Sequence, residues 1–192
     1  MKLHLDRIDQ IEATLTTLYA RIDTVLEPFS FARELLMTIP GISTNVANVI
    51  IAEAGVDMKV FDTAGHLASW AGVCPSRNES AGRTKSTQTR PGDHYLRAAL
   101  VIATLPVSRS KTTYLAVKYR RIQSHTGAPS AVGALQHTLL VIVWNRLHDG
   151  VAYEEFGVDH YDKTIPERAK KRLQSRMVSL GFEPNFIPLS AG

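Results

Sequence analysis

Residues Leu36 to Ile50 read Leu-Met-Thr-Ile-Pro-Gly-Ile-Ser-Thr-Asn-Val-Ala-Asn-Val-Ile, and no other stretch constrains the fold as tightly. Apolar Leu36 and Ile39 finish one short helix, Pro40-Gly41 turns the chain, and Ile42, Ala47 and Ile50 face back from a second. This is the spacing of a helix-hairpin-helix. Gly41 can take backbone angles barred to other residues, and it leaves no side chain between the turn and an approaching phosphate. The second helix would aim N–H groups and the positive end of its dipole at that point. Pro40, Gly41, Ile42, Ser43 and Thr44 are thus candidate contacts to a nucleic-acid backbone, gripped without reading bases. The competing reading is an ordinary turn between two core helices. Ser43 stands where many such hairpins carry a second glycine.

The rest of the chain reads as mainly α. Ile8, Ile11, Leu15, Leu18, Ile22 and Val25 alternate steps of three and four, a heptad seam suited to a coiled coil and a homo-oligomer through residues 8–25. An amphipathic helix lying on its own domain fits the same spacing. Pro28 ends this helix and Ser30 is placed to cap the next. A seam with no globular unit before it points to the back part of a longer protein. Thr63 is expected to cap a helix through Trp70, and further helices are expected over 94–106, 112–125 and 130–148. Leu139, Leu140, Val143 and Trp144 mark the last of these as the central core helix, while Tyr114 and Tyr119 also read as core. Thr164, Pro166 and Glu167 form a capping-box start for a final helix. Three regions follow: a partial coiled-coil helix over 1–29, a compact helical domain containing the hairpin over 30–161, and a basic helix and tail over 162–192.

At 192 residues, 44% of them hydrophobic, the chain has room for one core with an appended arm. No apolar run is long enough to span a bilayer and no secretion signal opens the sequence, so the expectation is a soluble, cytoplasmic protein without a membrane partner. Cys74 stands alone, which excludes an internal disulfide and a cysteine-based metal site. The formal net charge of +4 favours a polyanionic partner.

Chemistry is expected in the polar segment between Cys74 and Asp93, a stretch too long for an idle connection in a compact domain. From Ser76 to Arg97 it carries Arg77, Arg83, Lys85, Arg90 and Arg97 against Glu79 and Asp93, a local +3 suited to phosphate contact. Ser80 lies among small neighbours that would leave its hydroxyl accessible, and by residue type alone it is most simply an exposed serine. His94 is the histidine placed to serve as a proton-transfer group. The seven histidines show no close metal-binding pair. In the last helix, Lys163, Arg168, Lys170, Lys171, Arg172 and Arg176 oppose Glu167. A solvated amphipathic helix is the simpler reading there, and docking on DNA or RNA the functional one.

The hairpin, then Ala71-Gly72-Val73-Cys74-Pro75, Ser80-Ala81-Gly82 and Gly92-Asp93-His94-Tyr95-Leu96-Arg97, resembles over residues 30–160 the insertion-sequence transposases that join a RuvC-like acidic domain to a serine-bearing domain. In that family a serine forms a covalent phosphoserine link to DNA. The resemblance places Ser80 in that role, with Ser76 the other serine of the segment. The family's Ser-Gly pair reads Ser80-Ala81 here, with glycine delayed to Gly82. The resemblance implies DNA as partner, and some members are guided by a bridge RNA. It also implies a divalent metal (Mg) held by four acidic residues of an upstream domain. Asp6, Asp9 and Asp23 lie on one helix without the strands such a site needs, so no metal ligand and no cofactor is assigned to this chain. The expected function is the DNA-binding part of a transposase, inactive in isolation. The alternative is a non-catalytic helix-hairpin-helix nucleic-acid-binding protein or a degenerate transposon remnant.

Overall fold

A computed structural model describes residues 2–74, 78–80, 83–86, 91–164 and 166–184. Its elements in chain order are α1 (Lys2–Leu26), α2 (Ser30–Met37), α3 (Thr44–Ala54), α4 (Ala64–Trp70), β1 (Asn78–Ser80), β2 (Arg83–Ser86), α5 (His94–Arg109), α6 (Tyr114–Thr126), α7 (Ala128–Asp149), α8 (His160–Thr164) and α9 (Pro166–Ser179). The fold is mainly helical, as the periodicities require. Short 3-10 turns cover Glu27–Phe29 and Met58–Val60.

Helix α7 is the axis. Leu135, Leu139, Leu140 and Val143 are fully buried, and α2, α4, α5 and α6 pack around them. Each buried leucine contributes roughly 1.5–3 kcal/mol relative to exposure. Around this axis Leu36, Ile39, Ile50, Leu67, Leu96, Leu100 and Leu115 complete one core. Tyr119 is buried, and Trp144 is partly buried with its Nε1 donating to the Phe61 carbonyl at 3.1 Å. Both aromatic rings therefore belong to the core, as does the partly buried Tyr114.

Local starts and stops follow side-chain chemistry. Thr63 accepts from the His66 amide and Thr113 from the Ala116 amide, each satisfying an orphan donor of a helix start. Gly150 ends α7 in the left-handed region. Ser30 does not act as a cap. It is the first helical residue of α2, because the Glu27–Phe29 turn feeds directly into that helix. Helix α5 also departs from expectation by continuing through Pro106 to Arg109. The lost amide bond costs on the order of 3 kcal/mol, and the buried Val107 offsets it by holding the last turn in the core. Thr164 closes α8, its hydroxyl donating to the His160 carbonyl at 2.7 Å.

Only the end of α1 joins the core. Leu26 is buried, Ile22 is partly buried, and Asp23 accepts from Arg33 of α2 at 2.6 Å. Leu5, Ile8, Ile11, Leu15 and Leu18 are 42–55% exposed. The seam therefore does not lie on its own domain over that length. No helix among the described residues is long and apolar enough to cross a membrane.

Histidine 137 on α7 gives the fold a pH dependence. Burial, and then the charge of Lys118, hold its imidazole below the ordinary 6.5. As pH falls through about 6.5 the unfolded chain takes up a proton that the folded chain resists, so stability is lost on acidification. The loss levels off once the folded imidazole also titrates. Denaturation midpoints between pH 7.5 and 5 should decline less for His137→Gln than for the wild type. An identical decline in both proteins would assign the dependence to other groups.

Candidate nucleic-acid interface and serine-bearing hairpin

Helices α2 and α3 flank Pro40-Gly41, and the turn between them is packed rather than open. Gly41 has φ +93°, and a Cβ there would lie 2.3 Å from the Ala103 carbonyl oxygen and 2.7 Å from Val107 Cγ2. The space left by the missing side chain is thus filled by α5. Ile42 is buried in the core, and Pro40 and Gly41 are half-buried. Thr38 completes the packing: its hydroxyl donates to the Leu35 carbonyl at 2.6 Å and accepts from the Tyr153 amide at 2.8 Å. The close approach of α5 accounts for a glycine at position 41 by helix packing. The exposed part of this motif is the start of α3. Ser43 and Thr44 are solvent-facing there, and Ser43 Oγ accepts from the Val46 amide at 3.4 Å.

The polar segment departs from the core and returns to it at one place. Its entry, Ala71-Gly72-Val73, is buried at the end of α4. Its exit, Gly92, sits so close that a Cβ would lie 2.4 Å from the Ala71 carbonyl and the Gly72 amide nitrogen. Only a hydrogen in place of a side chain permits that approach. Asp93 then caps α5, its carboxylate accepting from the Leu96 amide at 2.6 Å. Two of the four sequence blocks that carry the resemblance are therefore one structural unit, the root of the excursion.

Beyond this root stand two antiparallel strands where sequence reading expected a loop. Ser80 pairs with Arg83, Glu79 with Thr84 and Asn78 with Ser86, with a register shift between Asn78 and Glu79. The available signal was the two-residue Ala81-Gly82 connection, a hairpin length, but no apolar alternation flags its flanks. Ser80 ends β1 and Arg83 begins β2, so the backbone register sets a candidate nucleophile opposite a cation. Lys85 lies farther along β2. Ser76, Arg77 and Arg90 lie outside the described residues.

At the start of α5, His94 is exposed and its ring stands edge-on to Tyr95 at 5.6 Å. Arg97 is half-buried one turn later, its carbonyl accepting from the buried Gln136 amide at 3.3 Å. Tyr95 also borders a cleft of about 450 Å³ between α1 and α3, lined by Leu18, Ile22, Val25, Val49 and Ala52. Asn48 borders it too, and its buried Oδ1 has no hydrogen-bond partner among the described residues. Sequence reading missed this cleft, although three of its lining residues are seam positions. The metal implied by the resemblance does not fit here. Among the described residues no three His, Cys, Asp or Glu side chains come together, and Asp6, Asp9 and Asp23 are strung along α1 alone.

Residues 33–120 match the model of the transposase IS116/IS110/IS902 family, so that stretch is similar to the transposase domain of this family. It is 28% identical over 141 residues to the insertion element IS110 uncharacterized 43.6 kDa protein of Streptomyces coelicolor, covering 71% of this chain and 34% of that relative. It is 32% identical over 128 residues to the insertion element IS900 uncharacterized 42 kDa protein of Mycobacterium paratuberculosis, covering 62% and 30%. The matches span about a third of each of these relatives.

Proposed function

We propose that this chain is the DNA-binding, serine-bearing part of an insertion-sequence transposase. The observation that carries the reading is the family match over 33–120, which encloses the whole excursion from its root at Ala71-Gly72 to Gly92. Duplex DNA is held by the excursion and the exposed start of α3, through Arg77, Arg83, Lys85, Arg90, Arg97, Ser43 and Thr44. Ser80 Oγ attacks a DNA phosphorus, forming a phosphoserine ester while one strand end leaves as a hydroxyl. Attack on that ester by the hydroxyl of another strand joins the strands and returns the serine. The bond energy stays in a phosphoester throughout, so no high-energy cofactor is consumed. The basic residues stabilise charge as it develops at the phosphorus, and His94 is the candidate carrier of the serine proton.

The reaction is cytoplasmic and needs an acidic, metal-holding domain that the described residues do not form, so the 192 residues alone bind DNA without exchanging strands. A guide RNA is a partner in the complete enzyme. The exposed seam of α1 and the apolar cleft that continues it pair with the same helix of a second copy, closing a homo-oligomer.

Titration of a labelled duplex across a salt series tests the binding. Neutralising about four phosphates gives a log–log slope of about −3 to −4, nearly independent of sequence. A flat response would overturn the reading. Binding without any covalent adduct in the complete protein would favour a non-catalytic relative.

A further inference from the structure

The excess positive charge of this chain resides in one helix. The whole chain carries 22 Lys and Arg against 18 Asp and Glu. Helix α9 contains Arg168, Lys170, Lys171, Arg172 and Arg176 against Glu167 alone, a net +4. Outside α9 the chain is therefore balanced, 17 against 17.

The arrangement of α9 is two-sided. Successive helical positions turn about 100°, so Ala169, Leu173 and Met177 share one narrow stripe. Lys171 and Arg172 lie on the other side with Glu167 next to Lys171, and Lys170 and Arg176 flank the stripe. Lys170, Lys171, Arg172 and Arg176 are exposed, and Leu173 remains 52% exposed. The helix packs on α8. That short helix is in turn fixed to the domain at His160, whose ring lies 4.9 Å from both Tyr114 and Phe156. Glu155 holds the same corner, accepting from the Tyr114 amide at 2.7 Å and the Gly157 amide at 3.1 Å.

We infer that α9 is a second phosphate-binding element that lies along a DNA duplex backbone with its Lys171 and Arg172 side. Five cations on about 21 Å of helix suit a duplex, which presents one negative charge per roughly 1.7 Å of its axis. A membrane surface is the poorer fit. Interfacial helices bury a broad apolar face rich in Trp, Phe and Leu, and the stripe on α9 is narrow and without an aromatic residue. The inference rests on the proposed DNA-binding function and extends it to a site outside the matched residues 33–120.

The test uses the full chain carrying Lys171→Gln and Arg172→Gln, beside Arg83→Gln with Lys85→Gln in β2. Each protein is titrated with labelled DNA duplex, RNA duplex and phosphatidylserine vesicles over a salt series. The α9 double variant should make the DNA salt slope shallower by about 2 and weaken binding roughly 10- to 100-fold at 0.1 M salt. Its circular dichroism should match the wild type. Where the double variant loses helical signal, each single variant should shift the slope by about 1. An unchanged slope in the α9 variants of a wild type that does bind DNA overturns this inference and leaves the proposed function standing. Absence of DNA binding by the wild type overturns both. A defect confined to RNA or to vesicles also overturns it, reassigning α9 to a guide RNA or a membrane surface.

Discussion

Ser80→Ala in a complete recombinase carrying this domain is expected to abolish strand exchange while leaving DNA affinity within about twofold. Loss of a nucleophile removes the covalent step itself, and such losses reach many orders of magnitude; here at least about 10³-fold is expected. Ser80 ends β1, and the residues of both strands, Asn78–Ser80 and Arg83–Ser86, are all polar. Removing its hydroxyl should therefore change stability by no more than about 0.5 kcal/mol. The pairing of Ser80 with Arg83 adds a second component. Arg83→Gln should slow exchange and weaken binding together, because the cation both attracts the strand and faces the charge that develops on it. Ser76→Ala is the control and should leave exchange intact. Recombination that persists in Ser80→Ala, or an adduct mapped by mass spectrometry to Ser76, would transfer the nucleophile to the other serine.

What could be read from the sequence was whatever local chemistry decides. Thr63 as a helix cap, Gly150 as a helix stop and the α7 core run are short-range effects, and their residues state them directly. Tertiary packing decides the remainder. Pro106 signals a helix end, yet α5 continues because Val107 is buried two turns from the core leucine at position 100. The hairpin of β1 and β2 has no apolar alternation to mark it, since every residue of both strands is polar. The candidate site was half legible. Ser80 and the basic residues around it were visible as chemistry, but the root that positions them was not. That root depends on Gly92 meeting Ala71-Gly72 across some twenty residues of chain, a contact without a periodic signal.

Glycine-to-alanine substitutions at three positions separate packing from backbone conformation, and one of them should be the most destabilising small change in the protein. At Gly55, with φ +74°, ψ −175° and nothing within 4 Å of an added Cβ, alanine meets only the backbone penalty of about 1–3 kcal/mol for this glycine-only conformation. At Gly92 the obstacle is steric, because the Cβ lands 2.4 Å from backbone atoms of Ala71 and Gly72. Backbone cannot rotate aside, so overpacking of roughly 1–3 kcal/mol is expected, with the excursion displaced and strand exchange lost. Gly41 combines both effects: φ +93° and a Cβ 2.3 Å from the Ala103 carbonyl. Their sum, with about 1–2 kcal/mol for the positive φ, is on the order of 2–5 kcal/mol, a large part of the usual 5–15 kcal/mol of a folded domain. Gly41→Val should be worse still and should not fold. Chemical denaturation of the three alanine variants should therefore rank Gly41 as the most costly, with Gly92 distinguished by loss of exchange when placed in a complete recombinase. A Gly41→Val protein that is fully folded but weakly bound to every duplex would reverse the assignment, putting the bare Cα of this turn back against a phosphate.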